Sequence, residues 1–346
     1  MKSQAQDCRY VPVRVDGLLY CFDNRVIRSV SLSDACDLFE TELPGGIVGE
    51  VEYQGDDIPV LRLRSLLESN KTKRPEREHL AIVATDQGHC AFLVDDVFRA
   101  REFAHEDLQP LPRSARNEKS PFFSGIARLS KESFSEEIVL SRTEQDEADS
   151  AKEQPGALLL SHNGLLGVPS QEDNANLSSP SVDVGALLAN GARRNGQLML
   201  FDVPHKTLDD KIVSLGFSVT EVIEVAQASE LLPVPCSDEK FYGLLPWRNQ
   251  FVPIIDLTQQ LDLGKLPHES QERIVILRTA DDQLVGFYSS TNIRTVRMPL
   301  DAVPYELRGV STLPIVAGCF VTGDGGLLLL PKIKKLASEG LPQTAA

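Results

Sequence analysis

The side chains best suited to chemistry in this chain are six histidines, six cysteines and the adjacent carboxylates Asp95-Asp96. His79, His89, His105, His162, His205 and His268 fall mostly in loop-like stretches and do not cluster. Histidine is the usual general base, so its dispersal argues against an enzyme. No His-Glu-x-x-His, Gly-x-Ser-x-Gly or Cys/His arrangement occurs. Cys8, Cys21, Cys36, Cys90, Cys236 and Cys319 form no Cys-x-x-Cys pair, so they read as buried small hydrophobes rather than zinc ligands. Asp95-Asp96 could pass for an acid/base pair, but adjacent strand residues face opposite ways. Gly323-Asp324-Gly325-Gly326 has the glycines of a phosphate loop without the Lys-Ser/Thr or the helix, and reads as a hairpin turn. No metal, cofactor or catalytic residue is assigned.

Recognition chemistry concentrates elsewhere. Trp247 and Arg248 stand side by side in a short polar turn, followed by Asn249, between apolar runs. Trp and Arg are the residues most enriched at binding hot spots. The plainer alternative, of equal weight, makes Trp247 a core side chain and Arg248 a solvated turn residue.

The element that carries this pair is Gly243 to Leu257, which reads as strand, turn and strand. A related unit runs from Gly49 to Leu63, with Ile58-Pro59-Val60-Leu61 matching Val252-Pro253-Ile254-Ile255. Pro121 to Ala127 is answered by Pro314 to Phe320. The offset between the halves stays near 193 residues, so the chain is a tandem duplication. Glu224 then corresponds to Ser29.

Short strands punctuated by turns, such as Tyr10 to Val15 and Leu18 to Phe22 around Asp16-Gly17, point to small β-barrels or sandwiches. Ser33 to Glu40 is expected to make one or two helical turns. Glu137 to Leu140 is expected as the last strand of the first half, and Lys332 to Ala337 as a short helix after Pro331. Residues 142–196 read as an acidic and polar linker. Within it, residues 157–168 carry an Asn163-Gly164 turn signal and read as an isolated hairpin or a decayed partial copy.

A chain of 346 residues suffices for two domains. Its formal net charge of −15 repels phosphate backbones and makes nucleic acid a poor partner. The Lys-rich stretches Lys71 to Arg77 and Lys332 to Lys335 read as a solvated loop and a helix end. No apolar run is long enough to span a bilayer, and the first seven residues have no apolar signal core. The expected location is the cytoplasm.

The order of these motifs resembles the CheW-like domain of bacterial chemotaxis. That family's central pattern is Gly, two apolar residues, Asn-Leu-Arg-Gly, a variable residue, then apolar-apolar-Pro-apolar-apolar-Asp-Leu. Gly243 to Leu257 fits it, with Pro246 for the Asn, Trp247 for the Leu and Asn249 for the Gly. Leu93 to Val97 matches the family's Leu-Val-Asp-x-Val motif, and Gly125-Ile126 and Gly318-Cys319 its late Gly-apolar step. The likeness covers residues 8–141 and 197–337, which gives two domains around the 142–196 linker.

The resemblance implies a mainly β fold in which each domain is two small five-stranded SH3-like β-barrels, with few short helices. It implies a non-catalytic scaffold that couples chemoreceptor signalling domains to a histidine kinase. It also implies that Glu224 and Arg248 lie close together on the partner-binding side, joined by Trp247 and Asn249. The first half has Ser29 and Gln54 at the paired positions, so the contact chemistry is expected in the second domain only. A ligand-binding or enzymatic double-barrel protein with a pocket between the repeats is the alternative.

Overall fold

The computed structural model describes residues 8–35, 37–43, 46–68, 78–112, 115, 122–129, 155–161, 165, 197–208, 211–261, 263–265, 271–279, 282–289, 293–297, 316–321 and 325–332. The chain divides into two compact units, which among the described residues hold thirteen strands and ten.

The first unit begins with β1 (Arg9–Val15) and β2 (Leu18–Asp23), a hairpin turned by Asp16 and Gly17, both at positive φ. The chain then leaves this sheet. It builds a second one from β3 (Ile27–Leu32), β4 (Asp37–Leu43), β5 (Ile47–Tyr53), β6 (Asp56–Arg62), β7 (His79–Thr85) and β8 (Gly88–Val94). Their order is β3-β7-β8-β6-β5-β4, and helix α1 (Leu63–Leu66) follows β6. The chain returns to the first sheet with β9 (Asp96–Val97), β10 (Arg101–Glu102), β11 (Leu108–Pro110), β12 (Phe123–Arg128) and β13 (Gly156–Leu160). That sheet is ordered β10-β1-β2-β13-β12-β11, with β9 also on β1.

The second unit repeats the plan. Strands β14 (Gln197–Leu208), β15 (Lys211–Ser218), β21 (Ile293–Arg297), β22 (Val316–Val321) and β23 (Leu327–Pro331) form one five-stranded sheet, ordered β21-β14-β15-β23-β22. Strands β16 (Val222–Gln227), β17 (Phe241–Trp247), β18 (Gln250–Ile255), β19 (Arg273–Arg278) and β20 (Leu284–Ser289) form the other, ordered β16-β19-β20-β18-β17. Helix α2 (Leu257–Gln260) follows β18 as α1 follows β6. Each sheet of both units contains one parallel pair: β2 with β13, β6 with β8, β15 with β23 and β18 with β20.

Alternation of apolar residues gives each sheet an inward face, and aromatic rings join the two sheets of a unit. Phe22 on β2 stacks on Phe92 on β8 at 5.6 Å, and neither side chain reaches solvent. In the second unit Phe287 lies 5.5 Å from Phe201 and 5.1 Å from Phe217. Such rings bury large areas and prefer these offset or tilted arrangements.

Two expectations are corrected. Ser33 to Glu40 is not mainly helical: a single 3-10 turn, Ser33–Ala35, leads straight into β4. Tight chain reversal needs only that turn, and Leu38, Phe39 and the residues after them extend beside β5. Residues 157–160 belong to no isolated hairpin. They form β13, parallel to β2 and antiparallel to β12, in the role that β23 plays for β15 and β22. All five residues of β13 are buried, which is why an almost wholly apolar Gly-Ala-Leu-Leu-Leu segment occupies a slot covered on both faces. The expected strand Glu137 to Leu140 and the expected helix after Lys332 lie outside the described residues. Among the described residues the first unit's sheets carry seven and six strands against five and five in the second, the additional ones being short or at an edge, β4, β9 and β11 among them.

Candidate partner-contact site

Strands β17 and β18 form a hairpin in which Trp247 pairs with Gln250 and Leu245 with Val252. Its turn places Arg248 at φ 53°, a left-handed conformation uncommon for a side-chain-bearing residue. At the hairpin's start Gly243 has φ 142°, and a Cβ there would lie 2.8 Å from the Leu232 carbonyl oxygen, so only glycine fits.

Trp247 points inward. It is 8% exposed and packs with Leu245, Val252, Ile254, Ile274 and Ile276. Its indole N–H stays at the rim and donates to Glu224 Oε2 at 3.0 Å. Glu224 lies on β16, one edge of this sheet, and Trp247 ends β17, the other edge, so the bond spans the seam between the two edge strands. Arg248 points outward. Its guanidinium lies over the Trp247 ring at 4.2 Å from the centroid, and its Nη2 is 3.4 Å from the same Glu224 oxygen. Its side chain is 68% exposed and that of Glu224 41%. An ion pair this open and long adds little stability. The plainer reading describes the geometry, a core tryptophan and a solvent-exposed turn arginine, and the arginine lies across the tryptophan ring. Asn249 follows in the turn and is exposed.

The register places the first domain's counterparts as the duplication predicts. Ser29 pairs with Ile82 after a bulge at Ile27, as Glu224 pairs with Ile276 after a bulge at Val222. Tyr53 and Gln54 stand where Trp247 and Arg248 stand, and Gln54 has φ 58°. Gln54 Nε2 donates to the Tyr53 hydroxyl at 3.2 Å, and the Tyr53 ring lies 5.2 Å from that of His89. The backbone is the same; the charged pair is not.

Asp95 and Asp96 separate as their spacing requires. Asp96 pairs with Arg14 at 3.0 Å, and Asp95 with Arg64 at 2.9 Å. Arg64, 7% exposed, also reaches Asp16 at 2.9 Å, and the Asp16 amide donates to Asp95 Oδ2 at 2.7 Å. Burial raises the Asp95 carboxyl above its ordinary value despite the opposing pull of the Asp16 amide and Arg64. This network joins the two sheets of the first domain, since Asp16 turns the β1–β2 hairpin and Arg64 sits on α1. Sequence reading missed it, although Arg62 and Arg64 interrupting the apolar run Val60 to Leu67 are the signal that a charge must be met inside.

The second domain has Asp256 and Thr258 at the equivalent places. Asp256 is 2% exposed and caps α2, accepting from the Gln259 amide at 3.0 Å, from Thr258 Oγ1 at 2.8 Å and from the Tyr242 hydroxyl at 2.8 Å. Burial, then the bond to Asp256, pushes the Tyr242 phenol up.

Three of the thiols are unsuited to nucleophilic work, since burial pushes Cys21 and Cys90 up to about 12 and Cys319 up to about 11. Among the described residues no group of three or more His, Cys, Asp or Glu is placed to hold a metal ion, and no helix is long and apolar enough to cross a membrane.

A family model for the CheW-like domain matches residues 9–140 and 197–340. Among solved structures, the chain is similar to the scaffolding protein TtCheW from Thermoanaerobacter tengcongensis. Identity is 17%, over 49% of this chain and 100% of that one, with a TM-score of 0.36. No curated protein matches the chain.

Proposed function

The chain belongs to the CheW-like domain family, of which it carries two copies, and from that premise we propose that it is a non-catalytic cytoplasmic adaptor linking chemoreceptor signalling domains to a histidine kinase. The match of both halves to one scaffold domain carries this reading. The second domain supplies the contact surface: Arg248 is the exposed charge, Trp247 the platform that aims it, and Glu224 the carboxylate that holds the indole. Asn249 completes the turn. An exposed cation over a rigid aromatic, next to a carboxylate, can form one charge-assisted contact and one apolar contact with a protein partner without any conformational change.

The test is purification of the tagged full-length protein from native cells, once as wild type and once as Arg248→Glu. A receptor and a histidine kinase recovered with the wild type, and reduced by the substitution, support the adaptor. Recovery of neither class with the wild type, together with an unchanged partner set for Arg248→Glu, sinks it.

A further inference from the structure

Among the described residues five large apolar side chains are exposed, and four of them belong to one sheet of the first domain. Val30 and Leu32 lie on β3 at 36% and 38% exposure, and Leu38 and Phe39 on β4 at 47% and 39%. These are the two edge strands of that sheet, joined directly through the Ser33–Ala35 turn. Asp37 pairs with Glu50 and Leu38 with Gly49 on β5, so β4 runs beside the β5–β6 hairpin with Phe39 on the face of Glu50 and Leu38 on the opposite one.

The outer face of that hairpin is acidic. Glu50 and Glu52 share it by alternation, and Asp57 joins them because it stands directly opposite Glu52. Asp56 begins β6 at the turn. All four carboxylates are exposed, and among the described residues none has an ion-pair partner. Like charges directly opposed on a sheet are destabilising. In the second domain the register puts Leu244, Pro246 and Phe251 at the places of Glu50, Glu52 and Asp57, and Leu244 and Phe251 are buried. The same scaffold can therefore carry apolar residues here, so the fold does not demand the acidic row.

We propose that the β3–β4 edge and the adjoining acidic face of the first domain form a second docking surface, for a basic amphipathic segment of a partner protein. Apolar side chains of that segment cover Phe39 and the exposed residues of β3, which share with Glu50 and Glu52 the face turned away from the core of Val51, Ile58, Leu80 and Ile82. Its Lys or Arg side chains neutralise Glu50, Glu52 and Asp57. A second copy of this chain is disfavoured as the occupant, because it would bring another acidic row into a protein of net charge −15. The surface is independent of Glu224 and Arg248, so its failure leaves the proposed adaptor function standing.

The experiment titrates the full-length protein with a synthetic amphipathic Leu/Lys peptide and with its Leu/Glu twin, and locates binding by hydrogen exchange. The expected result is saturable binding of the Leu/Lys peptide alone, with protection over residues 37–57. Phe39→Ser and Glu52→Lys should each weaken binding about tenfold, while Ile212→Ser, at the remaining exposed apolar position, leaves it unchanged. Glu52→Lys should also raise the melting temperature by relieving its opposition to Asp57. Equal binding of the two peptides, protection confined to other segments, indifference to both substitutions, a lowered melting temperature for Glu52→Lys, or self-association abolished by Phe39→Ser would each overturn the proposal.

Discussion

Where the second strand of the central hairpin ends and a short helix begins, the two domains solve one problem with different chemistry. The first buries Arg64 against Asp16 and Asp95. The second buries Asp256 among a hydroxyl, a phenol and an amide. A buried ion pair has to overcome a large desolvation cost and is intolerant of losing either partner. A capped carboxylate is held by several independent donors, each of modest worth. The contact hairpins differ in the same spirit, with Trp247 and Arg248 in one domain and Tyr53 and Gln54 in the other. Duplication has kept the strands and released the polar residues that decorate their ends.

The sharpest way to break this comparison is Arg64→Met. It leaves two carboxylates facing each other inside the first domain and should destabilise that domain by about 3–5 kcal/mol. Hydrogen exchange along a urea series should show the loss in residues 8–128 and 156–160, with the second domain unchanged; an equal loss in both domains contradicts the assignment. Glu224→Ala is next. It strips the indole N–H of its acceptor at a site that water can reach and should lower the stability of the second domain by about 1 kcal/mol. Trp247 is the sole tryptophan, so its fluorescence reports that domain directly.

Asp95→Asn sharpens the comparison through pH. A carboxyl raised by burial binds its proton more tightly folded than unfolded. Its contribution to stability is therefore full below the unfolded value and is lost as pH rises through the folded one. Wild type should lose first-domain stability over that acidic window, and Asp95→Asn should not show that component of the loss. The smallest effect belongs to Arg248→Ala, which should change stability by less than about 1 kcal/mol because the ion pair is open to solvent. Partner binding, not melting temperature, is where that substitution should register.

Much of the fold could be read from the chain because strand alternation and turn residues are local properties. Asp16-Gly17 turned the hairpin its type predicts, and the constant spacing aligned Ser29 with Glu224 and Gln54 with Arg248. The closing strand of the first domain could not be found by spacing. Ile126 and Cys319 keep the offset, yet the partner of Ile126 is Leu158 while that of Cys319 is Leu329, so the repeat is stretched between its last two strands. Burial on both faces selects Ala157 to Leu160, and an offset rule cannot see burial. The Arg64 network was missed for a related reason, since Asp16, Arg64 and Asp95 are distant in sequence and meet only when the two sheets pack. The Trp247–Glu224 bond was not legible: the family pattern implied only that Glu224 and Arg248 lie close, and the indole as the bridge depends on where the ring points.

The position of β13 bears on how the chain is made. Tyr20 has Val13 beside it from the start but acquires its second strand neighbour only when Leu158 has been synthesised, so the first sheet of the leading domain stays open along β2 and β12 while the rest of that domain is already available to fold. Unpaired strand edges are the surfaces through which nascent chains associate wrongly. A fragment cut at residue 141, where the family likeness ends, would carry that open seam permanently. One cut after residue 161 would seal it.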